Sequence, residues 1–142
     1  MNQEIPFGTR LIGQTEKTLN AILERLLAGS GVSEPQWVAL ATIRHSPAPS
    51  TEVVAATLKI TPSEAAARAV EPLTTAGLVD EGAGGLTLTT DGRDFVDGIQ
   101  RQVVDITDRL WGDIPQADRD TAAAVLSLVR ERASDELAGL SR

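Results

Sequence analysis

The side chains with most to offer a ligand lie between Ser50 and Arg93: Lys59, Arg68 and Arg93 as cations, Ser50, Thr61 and Ser63 as hydroxyls, and Glu64 among them. An arginine on an exposed helix face can make two parallel hydrogen bonds to a guanine edge or grip a phosphate. Hydroxyls at a helix start can join the free backbone N–H groups there in donating to phosphate oxygens. Arg68 is the sharpest candidate of the set. Glu64 lies four residues before it and Glu71 three after, so an ion pair within the helix is the competing use of its guanidinium. Trp37, His45 and Trp111 form a second group, suited to a small ligand; their competing uses are stapling a helix start, covering carbonyls at a helix end and packing, respectively.

Catalytic arrangements are lacking. His45 has Ser46 beside it and Glu52 nearby, but a triad is defined by geometry and roles rather than adjacency. No glycine-rich phosphate loop or carboxylate pair stands out. A chain with one histidine and no cysteine excludes disulfides and thiolate chemistry and argues against a transition-metal site. The expectation is a protein that is not an enzyme and needs no cofactor and no metal.

The elements that must position these residues are legible. Thr61 has the chemistry of an N-cap, Pro62 suits a first helical position, and Glu64 completes a capping box. The helix launched there carries Ala66, Ala69, Val70 and Leu73 on one face and Glu64, Arg68, Glu71 and Thr75 on the other. Pro72 removes the donor for the Arg68 carbonyl and bends the axis. Gly77 ends the helix, with Leu78 folding back on it. Upstream, Ser50 caps a short helix through Leu58, and only Lys59 and Ile60 separate the two, a helix-turn-helix spacing. Downstream, Leu78–Asp80 and Leu86–Thr89 flank a glycine-rich turn and predict a small hairpin.

An apolar stripe from Phe7 to Ala28 predicts a long first helix, stopped at Gly29-Ser30-Gly31. Ser33 and Gln36 form another capping box, with Pro35 in the first turn and Val32 stapled to Trp37. After the hairpin, apolar residues from Phe95 to Leu110 predict a long helix, and those from Ala122 to Leu140 predict a last one. Three long helices exceed what one small domain needs to cover its core. A second copy of the chain is the expected partner.

At 142 residues the chain has room for a single domain with a dimerisation arm. No apolar run is long enough to span a bilayer, and the N-terminal residues lack a secretory pattern, so no membrane partner and a cytoplasmic location are expected. The net charge of −7 runs against the basic footprint of most nucleic-acid binders. Between Ser50 and Val96 three basic residues stand against seven acidic ones, a net of −4.

The run Val54 to Leu58, Thr61-Pro62-Ser63, Arg68, Val70-Glu71, Leu73, Ala76-Gly77-Leu78-Val79 and Leu88-Thr89-Thr90-Asp91-Gly92 resembles the multiple antibiotic resistance regulator (MarR) family of winged helix-turn-helix transcription factors. The resemblance implies a mainly α fold with a small β-hairpin wing, residues 33–92 forming the winged module and residues 1–30 and 94–142 the dimerisation helices. It implies a homodimeric repressor that binds double-stranded DNA at a pseudo-palindromic operator and responds to a small aromatic effector. DNA contacts would come from Ser50, Lys59, Thr61, Ser63, Glu64, Arg68 and Arg93, and effector contacts from Trp37, His45 and Trp111. The stretch Glu81 to Gly85 departs from the family's longer, arginine-bearing wing, since it has no cation. The alternative is a winged-helix dimer that serves as a protein-interaction or small-ligand module without specific DNA binding.

Overall fold

The computed structural model describes residues 4–140, so the first three residues of the expected signal-free N-terminus lie outside it. The elements in order are α1 (Thr9–Leu27), α2 (Glu34–His45), α3 (Thr51–Leu58), α4, β1 (Val79–Gly82), β2 (Gly85–Leu88), α5 (Thr90–Trp111) and α6 (Gln116–Leu140). α4 runs through three consecutive segments: an α-helical turn Pro62–Ala65, a π-helical stretch Ala66–Val70 and an α-helical end Glu71–Thr75. The fold is mainly helical with one antiparallel hairpin, as the sequence predicts. No helix among the described residues is long and apolar enough to cross a membrane. The chain divides into two compact units, one through Val103 and one from Val104.

In the first unit, α1 starts two residues later than expected, leaving Phe7 outside it and 63% exposed. Only its end reaches the core, through buried Leu27 with Leu23 and Leu26 against it. Gly29 and Gly31, both at positive φ, turn the chain into α2. There the second capping box is complete: Ser33 Oγ accepts from the Gln36 N–H at 3.3 Å, and Gln36 Oε1 accepts from the Ser33 N–H at 3.1 Å. Val32 and Trp37, both buried, form the staple across it. α2 then lays Ala39, Leu40 and Ile43 into the core.

α3 starts on Ser50, whose hydroxyl accepts from the Val53 N–H, and buries Val54 and Ala55. It ends at Lys59, the sole non-glycine residue at positive φ among those described. The left-handed conformation costs a side-chain-bearing residue about 1 kcal/mol or more, and it lets the chain reverse into α4 within three residues. The hairpin pairs Val79 with Leu88 and Gly82 with Gly85, leaving Ala83-Gly84 as a two-residue turn. Val79, Leu86 and Leu88 point into the core, and the Leu86 N–H donates to the Pro49 carbonyl, so the loop before α3 joins the edge of β2.

Thr89 ties the hairpin to α5. Its hydroxyl accepts from the Gly92 N–H at 3.0 Å and donates to the Gly77 carbonyl at 2.6 Å, while its own N–H donates to the Leu78 carbonyl. α5 therefore starts at Thr90, inside the stretch assigned to the winged module, and buries Gly92, Val96 and Ile99.

The second unit holds the end of α5, a short connection through Gly112 and α6. The break between the helices falls where Gly112 and Pro115 predict it, with the Gly112 N–H on the Asp108 carbonyl. α6 buries no described residue, and Val125, Leu126, Leu128, Val129 and Leu140 are all exposed on it.

Two glycines of α5 separate close packing from plain helix propensity. A Cβ at Gly92 would collide with the Leu78 carbonyl, whereas one at Gly98 meets nothing within 4 Å. Gly92→Ala is expected to destabilise by about 1–3 kcal/mol, as overpacking does. Gly98→Ala is expected to stabilise by up to about 1 kcal/mol through helix propensity. Denaturant midpoints of the two variants at one protein concentration check both.

Candidate nucleic-acid interface

α4 is built to expose its start and bury its middle. Thr61 Oγ1 accepts from the Glu64 N–H at 3.2 Å, and Glu64 Oε1 reaches back to the Thr61 N–H and hydroxyl. The capping box predicted from the sequence is therefore closed, with Pro62 in the first turn where no donor is lost. Thr61, Pro62 and Ser63 are exposed, as are Ala67, Arg68, Glu71 and Thr75 further along.

The buried stripe agrees with the sequence reading at Ala69, Val70 and Leu73 and differs at its first member. It runs Ala65, Ala69, Val70 and Leu73, all 1% exposed or less, while Ala66 is only half-buried. The Glu71 N–H bonds the Ala66 carbonyl five residues back, so this turn of α4 holds an extra residue. Pro72 accounts for the departure from α geometry, since it cannot donate to the Arg68 carbonyl four residues before it. The C-terminus is a Schellman motif: Leu78 N–H to Leu73 carbonyl, Gly77 N–H to Thr74 carbonyl, and Gly77 at φ 79°.

Arg68 keeps 68% of its side chain exposed and pairs with Glu64, Nη2 to Oε2 at 3.5 Å. One carboxylate thus serves both ends of a short chain, Oε1 on Thr61 and Oε2 on Arg68. An exposed pair of this kind contributes a few tenths of a kcal/mol and yields readily to a stronger anion. Lys59 is exposed in the turn just before, so Lys59, Thr61, Ser63, Glu64 and Arg68 all fall on this turn and the start of α4. Ser50 sits at the start of α3 with its oxygen committed to the cap, and Arg93 is exposed in the first turn of α5. The hairpin turn carries Ala83 and Gly84 with Glu81 beside it.

The expected effector residues have other surroundings. Trp37 lies in the core edge-on to Phe95, with ring centroids 6.4 Å apart. His45 is exposed, and its Nε2 lies 2.8 Å from Gln100 Nε2 on α5. Arg44 beside it pairs with Asp97 at 3.5 Å, so the end of α2 is fastened to α5 by polar contacts. Trp111 is 40% exposed and belongs to the second unit. A cleft of about 340 Å³ is lined by Ser33, Pro35, Leu58, Ile60 and Arg68, and one of about 380 Å³ by the α1–α2 connection from Glu24 to Glu34. Neither takes in Trp37, His45 or Trp111.

One contact was not legible in the sequence. The Gln36 side chain, besides closing its capping box, donates from Nε2 to the Arg68 carbonyl at 3.3 Å. The capping pattern identifies its first role, but nothing local marks a bond spanning 32 residues.

No family model matches the sequence, and no curated protein matches it. Solved structures do match. The transcriptional regulator PA3341 superposes with a TM-score of 0.72 at 20% identity, over 89% of this chain and 97% of that one. The Mycobacterium tuberculosis MarR family protein Rv2887, in complex with DNA, gives 0.68 at 21% identity, over 89% and 98%. The reduced form of MarR from E. coli gives 0.67 at 22% identity, over 90% and 96%. The chain has the winged-helix fold of the MarR regulators along nearly its whole length.

The cap at Thr61 is open to test. Thr61→Ala should lower unfolding free energy by about 1 kcal/mol, and Thr61→Ser should recover most of it. Denaturant titration of the two variants measures the difference.

Proposed function

We propose that the chain is a homodimeric DNA-binding transcriptional regulator that reads duplex DNA with the exposed start of α4. The observation that carries this reading is a capped helix start at which Thr61, Ser63 and Arg68 are all exposed. Such an end suits phosphates through its N–H groups and partial positive charge, and its first side chains suit base edges. Rv2887, of the same fold, was solved with DNA. The apolar side chains along α6 supply the dimer contact, burying Val125, Leu126, Val129 and their neighbours against a second copy. The two α4 helices would then address half-sites about 34 Å apart, one turn of duplex. Repression by operator occupancy follows, and a small aromatic effector releases the DNA by favouring a spacing that no longer fits. Trp37, His45 and Trp111 remain the effector contacts to test, with Trp37 requiring its Phe95 packing to open.

A second reading is favoured by the charge. The module is acidic, Arg68 is paired with Glu64, and the hairpin turn has no cation, all of which suits a dimer that binds a protein or small ligand and no specific DNA. Binding to the adjacent intergenic duplex across a salt series separates the two. The regulator reading predicts specific binding that weakens with salt. If Lys59, Arg68 and Arg93 of each protomer supply the cations, log K falls against log salt with a slope no steeper than about −5. Arg68→Ala should cost about 1–3 kcal/mol if the guanidinium reads a base. No binding at low salt selects the second reading.

The dimer has its own test. Leu126→Asp should convert a sedimenting dimer into a monomer, and a wild-type protein that sediments as a monomer would remove the symmetry argument.

A further inference from the structure

We infer that Gln36 is a positioning residue for α4: its carboxamide holds the peptide carbonyl of Arg68, the group that Pro72 deprives of its α-helical donor, at a fixed place against the start of α2. The consequence for DNA rests on the proposed reading of α4, whereas the bridge itself does not.

Three observations meet at this contact. Pro72 has no N–H, so the Arg68 carbonyl lacks its bond from four residues on. The helix widens into a π turn there, with Glu71 bonding back to Ala66. The half-buried Gln36 amide then supplies a donor from another helix, Nε2 to oxygen at 3.3 Å. The orientation of that amide is fixed from both sides. The Ser33 N–H can only donate, so it takes Oε1 at 3.1 Å, and the Arg68 carbonyl can only accept, so it faces Nε2.

One planar side chain therefore joins the Ser33 N–H at the start of α2 to a carbonyl in the middle of α4 that Pro72 cannot serve. The residue whose carbonyl is held is also the residue whose guanidinium stands on the exposed face. Releasing the bridge lets the π turn shift and moves Arg68 relative to Thr61 and Ser63, without removing any group that would touch DNA. Gln36 thus acts through Arg68.

Gln36→Glu separates the two bonds. The carboxylate still accepts from the Ser33 N–H, and a negative charge suits the first turn of a helix, so α2 keeps its cap. It has no hydrogen to give the Arg68 carbonyl. In the free protein, amide hydrogen exchange across the π stretch of α4 should speed up roughly three- to tenfold, the equivalent of one lost hydrogen bond, with α2 unchanged. Affinity for the specific duplex should fall by a similar factor, with non-specific affinity unchanged. Pro72→Ala restores a backbone donor to the same carbonyl, so in that background Gln36→Glu should add nothing to either readout. Unchanged exchange in α4 on Gln36→Glu, or the same effect with and without Pro72, would overturn the assignment. A wild-type protein that binds no duplex would refute the DNA reading of α4 alone, since the exchange comparison decides the bridge without DNA.

Discussion

Pro72 imposes the constraint around which the winged module is arranged. A proline ten residues after the first helical residue, Pro62, forbids one backbone bond, and the chain accommodates the loss by widening a turn rather than ending the helix. The inward stripe of this helix is Ala65, Ala69, Val70 and Leu73, small side chains first and a leucine last. The Arg68 carbonyl lies within reach of the Gln36 amide at the start of α2. The π turn and the donor borrowed from Gln36 both lie where that one N–H is missing.

What was legible in the sequence was local. The capping boxes at Ser33 and Thr61, the glycine terminus at Gly77, the hairpin between Val79 and Leu88 and the helix break at Gly112 are each specified by residues close together in the chain, and all of them form. On α4 the helical period places Ala69, Val70 and Leu73 inward as found, with Ala65 buried in place of Ala66, while the π stretch escapes a reading that assumes a uniform 3.6 residues per turn. Phe7 matched the apolar pattern of α1 but precedes its first residue, Gly8 having an extended backbone there. The contacts from Gln36 to Arg68, from Pro49 to Leu86 and from Thr89 to Gly77 join distant or irregular backbone, and composition says nothing about them. For the candidate site, residue identity and exposure were readable, while the sharing of Glu64 between Thr61 and Arg68 needed coordinates.

Charge is where this chain parts from the common pattern of nucleic-acid binders. Phosphate neutralisation ordinarily supplies most of the affinity, yet here three cations are spread among seven acids in the module and the hairpin turn is uncharged. A reader so built would depend on the partial positive charge of the α4 start, on the Ser63 hydroxyl and on a guanidinium released from an exposed pair. These are short-range and directional contacts. They favour discrimination over strength, and they place a premium on the geometry that the Gln36 bridge and the Lys59 turn maintain.

The central claim is that the start of α4 meets the duplex while the hairpin turn does not. The most direct measurement is a titration of isotopically labelled protein with the adjacent intergenic duplex, followed by backbone amide shifts. The account predicts the largest changes from Thr61 to Arg68 and little at Ala83 and Gly84. Changes centred elsewhere, with the α4 start unmoved at saturating duplex, would contradict it.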